Sequence, residues 1–153
     1  MIRVLMVCLG NICRSPMAEF IFRDMAEKQG LSGRIAVSSA GTSDEEYGNP
    51  VYPPARKKLK ELGISCEGKR ARQMEKGDYA AYDLLLGMEQ RNLNAMRRIC
   101  GGDPEGKIHL LLEDAALPRD IADPWYTGNF DLACRDIQEG CALWLERIRS
   151  GKE

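Results

Sequence analysis

Two cysteines and an arginine near the amino terminus have the types and spacing that suit nucleophilic chemistry on an anion. In the segment CLGNICRS, five residues separate Cys8 from Arg14, and Cys13 directly precedes the arginine. A cysteine thiolate is a strong nucleophile, and the planar guanidinium of arginine binds phosphate oxygens through paired hydrogen bonds. The spacing therefore predicts a loop that holds an oxyanion beside a reactive thiol.

The residues on either side of this loop predict a strand before it and a helix after it. The run from Ile2 to Cys8 is compact and rich in β-branched residues, as in a buried strand. Pro16 favours the first turn of a helix, which we expect to continue to Gln29 before Gly30. Cys8 would then lie near a helix N-terminus, a position that lowers the pKa of a cysteine from about 8.5 to ~3.5–7.5.

The backbone of such a loop can itself bind phosphate, because N–H groups at a bend into a helix N-terminus form an anion site. Gly10 permits a positive φ, and Asn11 is one of the few other residue types that tolerates it. The hydroxyl of Ser15 could donate to the thiolate. The phosphate-binding residues that we predict beside Arg14 are Leu9, Gly10, Asn11, Ile12, Cys13 and Ser15.

Attack of a thiolate on a phosphate ester also needs a general acid for the leaving oxygen. The best candidate is Asp123, since Asp-Pro favours a turn in the loop before the last predicted helix. Asp120 is a nearby competitor, and a simple turn aspartate is the plainer interpretation. Trp125 and Tyr126 could form the wall of a pocket for an aromatic leaving group, or could only pack the loop.

Composition favours one globular domain over residues 1–153 and excludes several classes of protein. Hydrophobic residues make up 44% and charged residues 29% of the chain, as in ordinary globular proteins. A net charge of −1 provides no general attraction to nucleic acid or acidic membranes. Without a signal peptide or an apolar run long enough to span a membrane, we expect a cytoplasmic protein.

The cysteines do not predict a metal site or a disulfide framework. Six cysteines in a cytoplasmic protein are normally reduced. There is no Cys-x-x-Cys pair, and the one histidine, His109, is distant in sequence from the cysteines. We therefore expect neither a metal nor another cofactor.

Alternating apolar and amphipathic runs predict a three-layer α/β/α domain around a four-stranded parallel sheet. The remaining predicted strands are 35–39, 82–87 and 108–112, and the remaining predicted helices are 54–62, 92–100 and 130–149.

Three segments together closely resemble the low-molecular-weight protein-tyrosine-phosphatase family, and the resemblance covers nearly the whole chain. They are VCLGNICRSPMAE at the start, SSAGT at 38–42 and DPWY at 123–126. The resemblance implies the family's flavodoxin-like phosphotyrosine phosphatase I fold. It also implies metal-independent hydrolysis of protein phosphotyrosine and small aryl phosphates through a phosphocysteine intermediate.

Carried over by position, the resemblance implies a role for each matching residue. Cys8 is the expected nucleophile, Arg14 the binder of phosphate and transition state, and Asp123 the general acid and base. Asn11 and Ser39 are expected to hold the loop shape. Cys13 is expected to form a reversible protective disulfide with Cys8.

The variable loop after SSAGT departs from the family pattern. Family members often have an aromatic pocket-wall residue there, whereas this chain has Glu45, with Tyr47 two positions later. We count both with the predicted pocket wall. Glu89 occupies a position where relatives commonly have aspartate.

Three other functions are possible on the same pattern. A phosphoarginine phosphatase of the same family would carry threonine at the position of Ile12, where an isoleucine favours an aromatic ring. A thiol-dependent arsenate reductase needs further cysteines just after the third strand, and GMEQRNLNAM has none. A non-catalytic phosphate-binding module would not need Asp123.

Overall fold

The structure, a computed structural model, describes residues 1–151, in which helices alternate with the strands of a single parallel sheet. In chain order the elements are β1 (Ile2–Cys8), α1 (Arg14–Lys28), β2 (Ile35–Gly41), α2 (Pro53–Glu61), α3 (Asp78–Ala81), β3 (Leu84–Gly87), α4 (Gln90–Cys100), β4 (Ile108–Leu110), α5 (Pro124–Thr127) and α6 (Phe130–Arg149). This architecture confirms the predicted α/β fold class.

The sheet has the strand order β2-β1-β3-β4, with β1 and β3 inside it. Val4 of β1 pairs with Val37 on one side and with Leu84 on the other. The chain therefore leaves β1 toward one edge of the sheet and later returns to its opposite side. In open α/β sheets, ligands bind at the carboxyl end of the strand where this reversal occurs. Here that strand end is Cys8.

Side chains of β1 alternate between two hydrophobic clusters, one on each face of the sheet. Val4 and Met6 belong to a large cluster shared with α1, α2 and α6. Leu5 and Val7 belong to a smaller one shared with α4. Because both faces are covered by helices, β1 is almost entirely apolar, which is why its position could be predicted from sequence.

Several element boundaries differ from the predicted ones. Helix α1 begins at Arg14 rather than Pro16, so the proline lies within the first turn, where its missing N–H costs no hydrogen bond. Strand β2 continues to Gly41, whereas β3 begins only at Leu84. Tyr82 is not in the strand, because its N–H donates to the carbonyl of Asp78 and so completes the last turn of α3.

The short helices α3 and α5 have four residues each and were not predicted from the sequence. A single helical turn is too short to show a 3.6-residue apolar period. Strand β4 ends at Leu110, two residues before the predicted end. Within residues 1–151, no helix combines the length and the hydropathy that a transmembrane span requires.

Candidate active site

A cleft at the carboxyl end of β1 brings together residues from distant parts of the chain. It encloses about 130 Å³. Its walls are formed by the loop after β1, by the variable loop after β2 and by α5. The lining residues are Cys8, Leu9, Gly10, Ile12, Cys13, Arg14, Ser43, Glu45, Glu46, Asp123, Trp125 and Tyr126.

The loop after β1 curls around the sulfur of Cys8. The Sγ atom lies 3.3 Å from the backbone N of Asn11 and 3.4 Å from the backbone N of Ser15, which is in the first turn of α1. The Ser15 hydroxyl oxygen is 3.0 Å away. All three groups can donate a hydrogen bond to sulfur, so the loop is arranged to receive a thiolate at a helix N-terminus.

Asn11 makes this curl possible through both its backbone and its side chain. Its φ of 59° is positive, and it is the only non-glycine residue among residues 1–151 with such a value. Its Nδ2 donates to the hydroxyls of Ser15 at 2.8 Å and Ser39 at 3.0 Å, and its Oδ1 accepts from the backbone N of Arg72. Asn11, Ser15 and Ser39 therefore lie behind the cleft rather than in its lining.

The hydroxyl of Ser15 has two possible acceptors for its one proton. The carbonyl of Ala40 is 3.3 Å from Oγ, and the sulfur of Cys8 is 3.0 Å from it. Oγ already accepts a hydrogen bond from Asn11, so its own proton can be donated either to the carbonyl of Ala40 or to the sulfur of Cys8. The hydroxyl can therefore turn toward the sulfur when the thiol loses its proton.

The guanidinium of Arg14 is buried and clamped from several sides. The residue is 1% exposed. Its Nη1 donates to the carbonyl of Ile121 at 2.9 Å and to Glu89 at 3.2 Å, and its Nη2 donates to Oδ2 of Asp123 at 3.2 Å. Held in this way, the guanidinium has little rotational freedom to lose when an anion binds. The contribution of Ile121 was not predicted, because a backbone carbonyl leaves no signal in the sequence.

Asp123 is the N-cap of α5, which fixes the direction of its carboxylate. Its Oδ1 accepts from the backbone N of Trp125 at 3.0 Å, leaving Oδ2 directed at Arg14 in the cleft. Asp120 is placed differently, since its Oδ1 accepts from the backbone N of Gln90 at the start of α4. Of the two candidate acids, only Asp123 belongs to the cleft lining.

Cys13 also lines the cleft, but its surroundings differ from those of Cys8. The side chain packs with Ile12 and Ala71 and is 5% exposed. Burial, followed by the negative charge of Cys8, raises the pKa of the Cys13 thiol from 9.0 to about 12. Cys13 is therefore protonated at neutral pH.

Three of the four predicted wall residues are in the cleft lining. Trp125, Tyr126 and Glu45 line the cleft, whereas Tyr47 does not and is 72% exposed. The N–H of Tyr47 donates to the carbonyl of Asp44, and this turn places Tyr47 outside the cleft.

Ser43 and Glu46 line the cleft as well, although neither was predicted from the sequence. The Cγ of Glu46 lies 3.4 Å from where a Cβ on Gly10 would be, so its stem packs against the loop after β1. Tyr52, which was also missed, supports Trp125 with ring centroids 4.7 Å apart. Among the described residues 1–151, no group of three or more histidine, cysteine, aspartate or glutamate side chains could hold a metal ion.

The chain is similar to known proteins over nearly its whole length. The family model for low molecular weight phosphotyrosine protein phosphatase matches residues 3–153. The chain is 44% identical to the low molecular weight protein-tyrosine-phosphatase YfkJ of Bacillus subtilis, over all of this chain and 99% of that protein.

Solved structures are also similar to this chain. The crystal structure of YfkJ superposes with a TM-score of 0.94 and covers all of this chain and 98% of its own. The crystal structure of a Drosophila arginine phosphatase, 28% identical, has a TM-score of 0.87, with 95% of this chain and 96% of that chain covered.

The fold and the comparisons define the class of the protein as a phosphatase, with a thiol and an arginine in the loop after the first strand of its parallel sheet. Within that class, the chain belongs to the low-molecular-weight protein-tyrosine-phosphatase family.

Proposed function

We propose that this protein hydrolyses phosphotyrosine in protein substrates, and small aryl phosphates, through a phosphocysteine intermediate on Cys8. The observation that carries the proposal is that Cys8, Arg14 and Asp123, from three distant parts of the chain, line one cleft. The family membership and the identity to a bacterial protein-tyrosine-phosphatase support it. We propose that the reaction takes place without metal and that the protein is cytoplasmic.

In the first step the thiolate of Cys8 attacks phosphorus, an S–P bond forms, and the P–O bond to the tyrosine ring breaks. The leaving phenolate takes a proton from the Asp123 carboxyl group. Arg14 and the loop N–H groups bind the phosphoryl oxygens, whose charge they stabilise best at the transition state. The Ser15 hydroxyl donates to the sulfur when Cys8 becomes the leaving group.

In the second step the Asp123 carboxylate removes a proton from water, and the resulting oxygen nucleophile attacks phosphorus and breaks the S–P bond. The products are inorganic phosphate and the free thiolate. A single aspartate thus serves as acid and then as base, because the first half-reaction leaves it deprotonated. Before Asp123 can act as the general acid, a substrate phosphate must displace its carboxylate from the direct contact with Arg14.

The wall residues support an aryl group rather than an alkyl one. Trp125 is 51% and Tyr126 76% exposed, and both line the cleft, so exposed aromatic surface is available there to an aryl group. Ile12 contributes an apolar surface at the loop. The similarity to a Drosophila arginine phosphatase keeps phosphoarginine as a second candidate, although Ile12 offers no hydrogen bond to a guanidinium.

Two variants and a substrate panel test this proposal. Cys8→Ser is expected to abolish turnover of phosphotyrosine peptides. Asp123→Ala should lower kcat by roughly 10²–10⁴-fold on substrates with poor leaving groups, with a smaller loss on p-nitrophenyl phosphate, whose leaving group needs less protonation. Asp120→Ala is the matched control and should retain activity.

The outcomes that contradict the proposal are specific. Full activity of Cys8→Ser would exclude the mechanism, and activity that requires an added divalent metal would exclude metal independence. Higher kcat/KM for phosphoarginine than for phosphotyrosine peptides would favour the second candidate. Turnover of arsenate with thioredoxin as reductant would favour an arsenate reductase.

A further inference from the structure

A row of three aromatic rings leads away from the cleft on the side of α5. Trp125 lines the cleft, and its ring centroid lies 4.7 Å from that of Tyr52. Tyr52 in turn stacks on Phe130, the first residue of α6, with the centroids 6.0 Å apart. Trp125 is exposed, and the other two residues are partly exposed. We call Trp125, Tyr52 and Phe130 the aromatic row.

The aromatic row is attached to the loop after β1. The backbone N of Tyr52 donates to the carbonyl of Ile12 at 2.9 Å. Tyr52 and Phe130 both pack on a small hydrophobic cluster formed by Ile12, Cys13 and Ala71. Because Ile12 and Cys13 also line the cleft, the aromatic row continues the cleft wall and is not a separate patch.

A groove between α2 and α6 opens where the aromatic row ends. It encloses about 400 Å³, and Phe130 belongs both to the row and to the lining of the groove. The surface outside the cleft is therefore aromatic first and charged beyond Phe130. The other lining residues of the groove are Pro54, Lys57, Lys58, Glu61 and Asp131.

The charges of this groove leave one lysine available to a ligand. Lys58 pairs with both carboxylates, since its Nζ lies 2.8 Å from Oε1 of Glu61 and 2.5 Å from Oδ1 of Asp131. Lys58 is also the main cause of the lowered pKa of Asp131, and Lys57 lowers it less. Lys57 is exposed and forms no ion pair within residues 1–151. An acidic side chain in the groove would therefore find its partner in Lys57.

The stretch of substrate chain beside the phosphotyrosine fits the length of this surface. The centroid distances of 4.7 and 6.0 Å along the aromatic row correspond to about three residues of extended chain, at about 3.3 Å per residue. A phosphotyrosine ring against Trp125 would place its second and third neighbours on one side over Tyr52 and Phe130. The fourth neighbour would then lie in the groove.

We propose that the aromatic row and the groove beyond it bind the substrate segment that flanks the phosphotyrosine on one side. They select an apolar residue two or three positions away, followed by an acidic residue at the fourth position. This inference rests on the proposed function, because it describes the protein segment that accompanies the phosphotyrosine into the cleft.

The test reverses the charge of Lys57 and compares phosphotyrosine peptides that differ at one position. Each peptide has neutral residues next to the phosphotyrosine and has glutamate or lysine at the fourth position, either before or after it. In the unmodified protein, glutamate should raise kcat/KM over lysine about threefold at one of these two positions, as for exposed charges. Lys57→Glu should reverse the order, while kcat/KM on p-nitrophenyl phosphate, which has no flanking chain, should stay the same.

A second variant tests the aromatic row, and two controls complete the design. Phe130→Ala should reduce about fivefold the preference for leucine over serine at the second or third position, because leucine then buries less apolar surface. Leu62→Ala removes an exposed apolar side chain at the opposite end of α2 and should keep that preference. Lys28→Glu makes the same charge change as Lys57→Glu at the far end of α1 and should keep the preference for glutamate.

A binding measurement separates this proposal from the proposed function. The same peptides, each with a fluorescent label, are titrated with the Cys8→Ser protein, and fluorescence anisotropy gives Kd without turnover. Glutamate at the responding position should lower Kd relative to lysine, and adding Lys57→Glu should reverse the order. High salt should reduce the difference.

Equal Kd values for the glutamate and lysine peptides, or the absence of binding, would overturn the proposal. An equal shift in Lys28→Glu would also overturn it, since the effect would then be one of general charge. A loss in Phe130→Ala that is as large on p-nitrophenyl phosphate as on the leucine peptide would reduce the aromatic row to a support for Trp125. If the unmodified protein does not hydrolyse the peptides but the order of Kd values is as expected, only the proposed function is contradicted.

Discussion

At the scale of single residues, two thiols five positions apart have opposite environments. Cys8 ends β1, and its sulfur faces the N-terminus of α1 within reach of three hydrogen-bond donors. Cys13 packs among apolar side chains, and burial raises the pKa of its thiol to about 12. Part of that rise comes from the charge of Cys8. If Cys8 is oxidised to a neutral sulfenic acid, its negative charge no longer raises the pKa of Cys13. A larger fraction of Cys13 is then thiolate, which attacks the sulfenic acid more readily. The predicted protective disulfide would then form only after Cys8 has reacted.

Cys13 should ionise only in alkaline solution. Its thiolate fraction at pH 7 is about 10⁻⁵ for a pKa near 12. In Cys8→Ser the pKa should fall but stay above 9, because burial is the largest cause. We therefore expect alkylation of Cys13 in this variant to accelerate about tenfold per pH unit from pH 7 to 9. N-acetylcysteine serves as the reference thiol, and a rate plateau below pH 9 would contradict the burial argument.

The raised pKa of Cys13 also affects stability. The folded protein holds this proton up to a higher pH than the unfolded chain, whose thiol ionises near its ordinary value of 9.0. This contribution to stability is complete below pH 9 and is lost as the pH rises toward 12.

At the scale of elements, the site depends on how closely β2 approaches the loop after β1. The register pairs Cys8 with Gly41, and the N–H of Thr42 donates to the carbonyl of Cys8. A Cβ at Gly41 would lie 2.6 Å from the carbonyl oxygen of Leu9 and 3.1 Å from the backbone C of Gly10. Because these contacts are with backbone, a side chain could be accommodated only by moving the loop after β1.

Gly41→Ala should therefore impair activity through the position of the loop. We expect kcat/KM on p-nitrophenyl phosphate to fall at least about tenfold, and the melting temperature to decrease, since overpacking costs ~1–3 kcal/mol. Gly33→Ala is the matched control, because nothing lies within 4 Å of its added Cβ. Equal activity of the two variants would show that the loop tolerates displacement.

At the scale of the whole molecule, the net charge is only −1, but positive and negative side chains are unevenly distributed around the cleft. The lining contains three carboxylates, from Glu45, Glu46 and Asp123, but only one guanidinium, from Arg14. Within residues 1–151, neither Glu45 nor Glu46 forms an ion pair. A dianionic phosphate must pass this acidic rim, and basic residues beside the phosphotyrosine would offset the repulsion.

Substrates with basic flanking residues should therefore have an advantage. For phosphotyrosine peptides, lysine or arginine near the phosphotyrosine should lower KM relative to acidic neighbours, by about threefold for exposed charges. Glu45→Gln combined with Glu46→Gln should remove the preference, and so should high salt. Glu27→Gln, at the distant end of α1, is the control. If the double variant still prefers basic flanking residues, residues other than Glu45 and Glu46 must cause the preference.

The sequence alone determined the parts of this protein that depend on local chemistry and periodicity. The buried strand β1, the long helix α6 and the α/β class follow from apolar patterns, and the thiol and arginine loop follows from one short segment. Asn11 could be predicted at a positive φ because few residue types tolerate that conformation.

Contacts between segments that are distant in the chain could be identified only from the tertiary structure. It directed Asp123 rather than Asp120 at Arg14, turned Tyr47 away from the cleft and brought Glu46 into it. It also placed Lys69 and Glu19 behind Ser39. Such contacts leave no signal in a single sequence, because the chain separation of the partners carries no information about their distance in space. Only the packing of the helices against the sheet brings them together.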